Sequence, residues 1–435
     1  MDSILFKHFP PIDVKQWKQK IQFLLQGENY QNLIHIDSDG ISTLPFYTKS
    51  ELSKKIAFKN KSTPKPAFYC IVSKESKANS EALTAIKNGI QIIYFAIFNP
   101  NIDLEILLKN IDCDLFFQCY FLDYKFNSTP ILKEKRSVIL NECLGKISKT
   151  GNWHHTAKTD YSILKKSLHI SQNSLNINLN HFHNSGATPV QQLSYSISQL
   201  LAYAKNKTIN FNTTIYYNIS VSTNFYIEIA KLKALRILHQ LFADTLDINP
   251  NCKLIQHKSK RNLSGLFSAI NIANYNTEQH ISILSSVDFY LSIPPNFFFY
   301  KEDIPTTKTL VNDLKESNAD YSIIEENLCV EKLTQQLVEK SIILIETIEK
   351  GGGYVEQLKK ETIQHKISDN EKAAVSSFTK SIETVDLNTQ VNIKKTTSAY
   401  PFLKFKKRKA LWPPIVEKQL RETVERPIWE QHFKF

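Results

Sequence analysis

Apolar runs alternate along this chain with segments whose apolar positions recur every three or four residues. The runs are AFYCIVS (67–73), IQIIYFAIF (90–98), LFFQCYF (115–121), SLNINLNHF (174–182), TTIYYNISVS (213–222), KLIQHKSK (253–260), VDFYLSI (287–293) and, weakest, ADYSIIEE (319–326). Short and rich in β-branched and aromatic residues, they read as strands. Between them the spacing predicts helices near 76–88, 102–110, 136–147, 188–205, 224–245, 265–285, 306–317 and 331–349. Eight strands, each followed by a helix, is the arithmetic of an α/β fold of the (β/α)8 TIM-type barrel. A doubly wound open sheet is the rival, and counting does not separate the two.

The run at 213–222 alternates, with Ile215, Tyr217, Ile219 and Val221 on one face and Tyr216, Asn218, Ser220 and Ser222 on the other. Helices cover the outside of a barrel, where polar side chains would be buried without obvious partners. Asn218, Ser220 and Ser222 are therefore expected to face the lumen. Asn224 or Thr223 then caps the next helix, and Glu228 sits in its first turn, where the helix dipole favours an acid. On that helix Ile227, Ala230, Ala234, Leu238 and Leu241 form a stripe for the core. Phe225, Ile229 and Leu232 form a second apolar patch, for a neighbouring helix or another subunit.

This reading divides the chain into an arm (1–60), a barrel (61–365), a polar linker (366–400) and a basic, aromatic tail (401–435). In the arm, VKQWKQKIQFLL predicts a short helix with Trp17, Ile21 and Leu24 on one side. The tail carries KFKKRK (404–409) among Phe402, Phe405 and Trp412, a pattern open to nucleic acid or to a docking role on a protein partner.

Composition narrows the chemistry. Apolar residues make up 42 % of 435 residues, enough for a large core, and no apolar run reaches the ~18 residues of a membrane span. The N-terminus lacks the basic start and apolar stretch of a secretory signal, so a cytoplasmic location is expected. The net charge of +12 is spread over the chain among glutamates, which fits a solvated surface; nucleic acid is not the expected partner. Six scattered cysteines without a CxxC pair read as reduced thiols. Twelve histidines show no spacing of a metal site, so no metal is expected. Only ten glycines occur, with no GxGxxG or GxxxxGKS, which argues against a nucleotide loop.

Several long stretches resemble one family. FPPIDVKQWKQKIQFLLQGENYQNLIHIDSDGISTLPFYT (9–48), GNWHH (151–155), NSGATPVQQLSYSISQLLAYA (184–204), SVSTNFYIEIAKLKALRILHQL (220–241) and VEKLTQQLVEKSIILIETIEKGGGYVEQLKKETIQHKI (330–367) are similar to segments of methylmalonyl-CoA mutase subunits. Within the family the pattern resembles the small, or beta, subunit of the heterodimeric mutases. The resemblance implies isomerisation of (R)-methylmalonyl-CoA to succinyl-CoA by radical chemistry with adenosylcobalamin. It also implies a (β/α)8 barrel threaded along its axis by the coenzyme A chain. Small polar side chains such as Asn218, Ser220 and Ser222 would suit that path.

The departures from the family decide the expected role. A cobalamin domain needs on the order of 130 residues, whereas 68 follow position 367, and the cobalt-ligating DxHxxG motif is absent. The family's RPWT-like strand start reads KPAFY (65–69), its GGAD reads SSVD (285–288), its ARNTQ helix is not recognisable in 309–320, and its DPxGGSYYVE turn reads NADYSIIEENLCVE (318–331). By the same resemblance His181 occupies the place of the substrate-side histidine, which meets the thioester carbonyl. It is a remnant candidate; on the strand read at 174–182 it and His183 point to one side. The expectation is a non-catalytic subunit with no cofactor of its own, paired with a catalytic large (alpha) subunit that holds adenosylcobalamin. Whether acyl-CoA still enters the lumen stays open. The alternatives are an active acyl-CoA mutase barrel that uses a separate cobalamin-binding chain, and a basic adapter on a degenerate barrel.

Overall fold

The computed structural model describes residues 13–48, 63–170, 173–292, 327–383, 402–403 and 409–432. Among them, eight parallel strands close into a barrel: β1 (Lys65–Val72), β2 (Ile92–Ile97), β3 (Asp114–Cys119), β4 (Ser137–Asn141), β5 (Asn173–Asn178), β6 (Ile215–Ile219), β7 (Cys252–Gln256) and β8 (Phe289–Ser292). β8 pairs with both β7 and β1, which leaves the barrel sheet without an edge. The closed barrel is thus the architecture, and the open sheet is excluded.

The strands alternate as a barrel requires. On β2, Ile92, Tyr94 and Ala96 join the lumen cluster, while Ile93, Phe95 and Ile97 pack under the surrounding helices. A strand buried on both faces reads as a continuous apolar run, as IIYFAI does.

The eight barrel strands are not the eight read from the sequence. SVILN at 137–141 is a strand, where the spacing predicts a helix over 136–147. Ile139, Leu140, Leu144 and Ile147 mimic helical spacing, but the strand ends at Asn141 and a separate helix, Leu144–Thr150, follows. Pairing with β3 and β5 on both sides holds Ser137–Asn141 extended. The expected strand 319–326 and helix 306–317 lie outside the described residues. The expected strand at 174–182 also stops short: Leu179–Asn184 is helical.

Three helices form the buried outer wall on one side: Pro189–Lys205, Phe225–Leu246 and Leu328–Lys350. Pro at the first position and a Thr188/Gln191 capping box start the first of these. Ile229 and Leu232, from the second apolar patch of the middle helix, are buried in the main core cluster, with Phe225 packed against it. Leu241 is exposed instead of completing the core stripe. Asn224 holds the N-cap position of this helix but makes no side-chain cap bond.

Outside the barrel, the arm helix Val14–Leu24 opens with a capping box of Asp13 and Gln16, and none of its side chains is buried. Asp39 ties the arm to the wall, accepting from the Thr188 hydroxyl at 2.6 Å and the Val190 N–H at 3.1 Å. The stretch read as a linker from 366 is helical as far as Glu383, within Thr362–Glu383. The residues beyond it, to 401, lie outside the described set. So does most of KFKKRK, with Lys409 alone described. The six cysteines are free thiols. No helix among the described residues is long and apolar enough to cross a membrane.

The Tyr203 hydroxyl holds the missed strand to its helix, accepting from the N–H groups of Cys143 (3.1 Å) and Leu144 (2.9 Å). Tyr203→Phe leaves two buried donors unpaired and is expected to cost about 1–3 kcal/mol. Urea unfolding measures this; a loss below about 0.5 kcal/mol would contradict the account.

Candidate functional site at the covered mouth of the barrel

Barrel enzymes assemble their sites at the C-terminal ends of the strands. Here that end is crossed by the chain's own tail. The N–H groups of Leu411 and Trp412 bond to the Gly151 carbonyl, Ile415 to Ser148, Lys418 to Asn184 and Leu420 to Arg261. These carbonyls follow β4, β5 and β7, so the tail straps three barrel loops together. Gly151 has φ of 69°, and a Cβ there would overlap the Trp412 carbonyl oxygen, so the close approach needs glycine. Farther on, the Glu425 carboxylate accepts from the Ser264 hydroxyl (2.8 Å) and the Gly265 N–H (2.7 Å).

Glu417 is the centre of the strap. Its carboxylate lies 2.9 Å from Lys260 Nζ, 3.5 Å from Lys149 Nζ and 3.5 Å from His181 Nδ1. Burial alone would raise its pKa, but Lys260 and Lys149 outweigh burial and, with His181, hold the carboxyl well below its ordinary range. His181 is 2 % exposed, and burial lowers its pKa against the pull of Glu417, so the ring is neutral. With a carboxylate at Nδ1, the proton of that neutral ring belongs on Nδ1. Nε2 is then a bare acceptor, and among the described residues it has no hydrogen-bond partner.

Sequence reasoning placed His181 and His183 together, and the structure separates them. On the helix Leu179–Asn184, residues two apart point different ways. His181 faces the mouth, whereas His183 Nε2 meets Ser259 Oγ at 2.9 Å. Of the three residues expected in the lumen, Asn218 is there, donating to Tyr94 Oη (3.3 Å) and Gln118 Oε1 (3.0 Å). Ser220 lies at the rim, bonded to Asn180 Oδ1 at 2.6 Å and the His257 carbonyl at 3.0 Å. Ser222 is past the strand, half-buried, and accepts from the Asn224 N–H at 3.2 Å in the turn into the helix. The strand ends at Ile219, so alternation carries no information about position 222.

The lumen itself is packed. Phe116 stacks on Tyr94 with centroids 6.1 Å apart and meets Tyr216 and Phe289 edge-on at 5.7 and 4.9 Å. Nearer the mouth the side-chain amides of Gln118, Asn176 and Asn218 converge, with Asn176 Nδ2 also 3.2 Å from Glu142 Oε2. A 700 Å³ cleft opens between this layer and the strap, walled in part by Tyr69, Tyr120, Glu142, Lys149 and Glu417. Glu142, Lys149, Lys260 and Glu417 were not legible as site residues. Glu142 follows the strand read as helix, and the others meet only through the fold.

Eight parallel strands, a mouth built from the loops after them, and a buried histidine facing that mouth define the class as a (β/α)8 barrel with an enzyme's layout. The family follows from comparison. Residues 136–269 and 327–410 match the methylmalonyl-CoA mutase family, half of the chain, and the chain belongs to that family. A curated relative, the methylmalonyl-CoA mutase small subunit of Porphyromonas gingivalis (strain ATCC BAA-308 / W83), is 22 % identical over 420 residues, covering 84 % of this chain and 67 % of the relative. Among solved structures, the Yersinia pestis dihydropteroate synthase covers 58 % of this chain and 91 % of its own at 11 % identity, with a TM-score of 0.33. The L-Ala-D/L-Glu epimerase of Bacillus subtilis covers 52 % and 53 % at 10 % identity, with a TM-score of 0.30. Likeness at that level carries nothing about function. The tail backbone is bonded across this mouth.

Burial raises the Glu142 carboxyl to about 7, with Lys149 and the Asn176 amide pulling the other way. A carboxyl raised in the folded state favours folding while neutral, and the advantage fades as pH climbs from its ordinary 4.5 to about 7. Glu142→Gln cannot ionise. Its stability relative to wild type is therefore expected to rise across that window, by up to about 1.4 kcal/mol per pH unit, and to level off above it. Urea unfolding at pH values on either side reads the change; a difference that does not vary with pH would refute it.

Proposed function

We propose that this chain is the non-catalytic small subunit of a methylmalonyl-CoA mutase, paired with a catalytic large subunit that holds adenosylcobalamin. The observation that carries this reading is the contact of Glu417 with His181. An imidazole that assists a thioester carbonyl must donate a hydrogen bond to it. Glu417 draws the only ring proton to the tail side and leaves an acceptor on the other, the wrong polarity for a carbonyl oxygen. The aromatic layer of Phe116, Tyr216 and Phe289 supports the same reading, since those rings occupy the axis along which an acyl-CoA chain would pass.

A radical reaction needs water excluded and its partners held rigidly. A second barrel whose lumen is packed and whose mouth is strapped by its own tail can brace a catalytic subunit without competing for its ligands. The arm offers surface for that contact: Phe23, Leu24 and Ile36 are exposed at 76, 64 and 64 %. One observation favours a second reading, in which the barrel still takes acyl-CoA and borrows a separate cobalamin chain. Gln118 Nε2, Asn176 Oδ1 and Asn218 Oδ1 are buried without partners among the described residues, as they would be if a polar guest completed them.

Co-expression with a catalytic mutase subunit tests both. The expected result is a co-eluting complex in which adenosylcobalamin absorbance stays with the partner after separation, and calorimetry of this chain with coenzyme A thioesters shows no heat. Stoichiometric cobalamin on the isolated chain, or full and stable turnover by the partner without it, would overturn the proposal. Coenzyme A binding by this chain would favour the second reading.

A further inference from the structure

The three groups that grip Glu417 come from separate loops. Lys149 lies on the helix after β4, His181 on the helix after β5 and Lys260 in the loop after β7. All three fall within the residues that match the family, 136–269, whereas Glu417 lies beyond the last matched residue, 410. The barrel thus supplies a carboxylate receptor, and the tail supplies the carboxylate. The receptor is partly enclosed: the side chains of His181, Lys260 and Lys149 are 3, 27 and 41 % exposed. Two cations and one N–H donor around a single carboxylate satisfy both of its oxygens, a stronger arrangement than one surface pair. The 700 Å³ cleft runs on from this point, and Ile71, Phe98 and Tyr120 give it an apolar side.

We propose that Lys149, Lys260 and His181 form a binding site for a small aliphatic carboxylate, which the chain fills with its own Glu417. The strap holds that glutamate in place through the backbone bonds of Ile415 and Lys418 on either side of it. When the tail carboxylate is removed, a free carboxylate takes the same three partners and lays its apolar body along Ile71, Phe98 and Tyr120. The receptor works in this way whether or not the chain pairs with another subunit.

Glu417→Ala in the full chain tests this by thermal unfolding. The variant is expected to melt below wild type in chloride. Acetate at equal ionic strength is expected to raise the melting temperature saturably, and butyrate to do so at lower concentration. Wild type is expected to respond to neither, since its receptor is full. Glu417→Ala/Lys260→Met is expected to lose the response. Equal effects of chloride and acetate, or a response that survives the second substitution, would overturn the proposal. Butyrate acting no better than acetate would remove the apolar body from the assignment. Should Glu417→Ala fail to fold in chloride, refolding in acetate but not chloride counts in favour, and failure in both counts against.

Discussion

Closing eight parallel strands around an axis creates an interior that something has to fill, because an empty lumen forfeits contacts on every strand at once. In this chain side chains fill it. Phe116, Tyr216, Phe289 and Tyr94 occupy one level, and the amides of Gln118, Asn176 and Asn218 occupy the next. That choice governs the rest of the molecule. A barrel whose axis is packed has only its mouth left for chemistry, and the tail lies across the mouth.

The mouth holds its own ion pairs, with Lys149 and Lys260 both meeting Glu417. Two carboxylates share it and are driven in opposite directions. Glu142 has burial as its dominant influence and is pushed up to about 7. Glu417 is as enclosed, yet two lysines hold it ionised. The neutral imidazole of His181 lies against the second carboxylate and takes its tautomer from it.

The outer wall shows the same preference for internal satisfaction. Lys231 pairs with Glu228, Lys233 with Glu331, Arg261 with Glu371, and Lys258 with Glu278 at 3.1 Å, all largely or fully buried. Buried pairs of this kind add little net stability, but breaking one by removing a partner is costly. Here Lys233 and Glu331 bridge two wall helices, and Arg261 joins the loop after β7 to the helix Thr362–Glu383. Each fixes how one element sits against another. Glu228 lies in the first turn of its helix, as the sequence predicts, and is buried there against Lys231.

Periodicity in the chain was enough to read an α/β fold of alternating strands and helices, the span of its long helices and the inward face of β6 through Asn218, while closure into a barrel rather than an open sheet was decided by the strand pairing. The first three are local: a two-residue or 3.6-residue repeat carries its own evidence. The strand Ser137–Asn141 escaped because five residues running into a helix look like the start of it, and only pairing with β3 and β5 distinguishes them. Ser222 was misplaced because alternation says nothing past a strand's end. The meeting of Lys149, His181 and Lys260 with Glu417 was not legible at all. Those residues lie up to 268 positions apart, 417 minus 149, and nothing local marks them. Only barrel closure brings the loops together, and only the tail's path across them decides which carboxylate they hold.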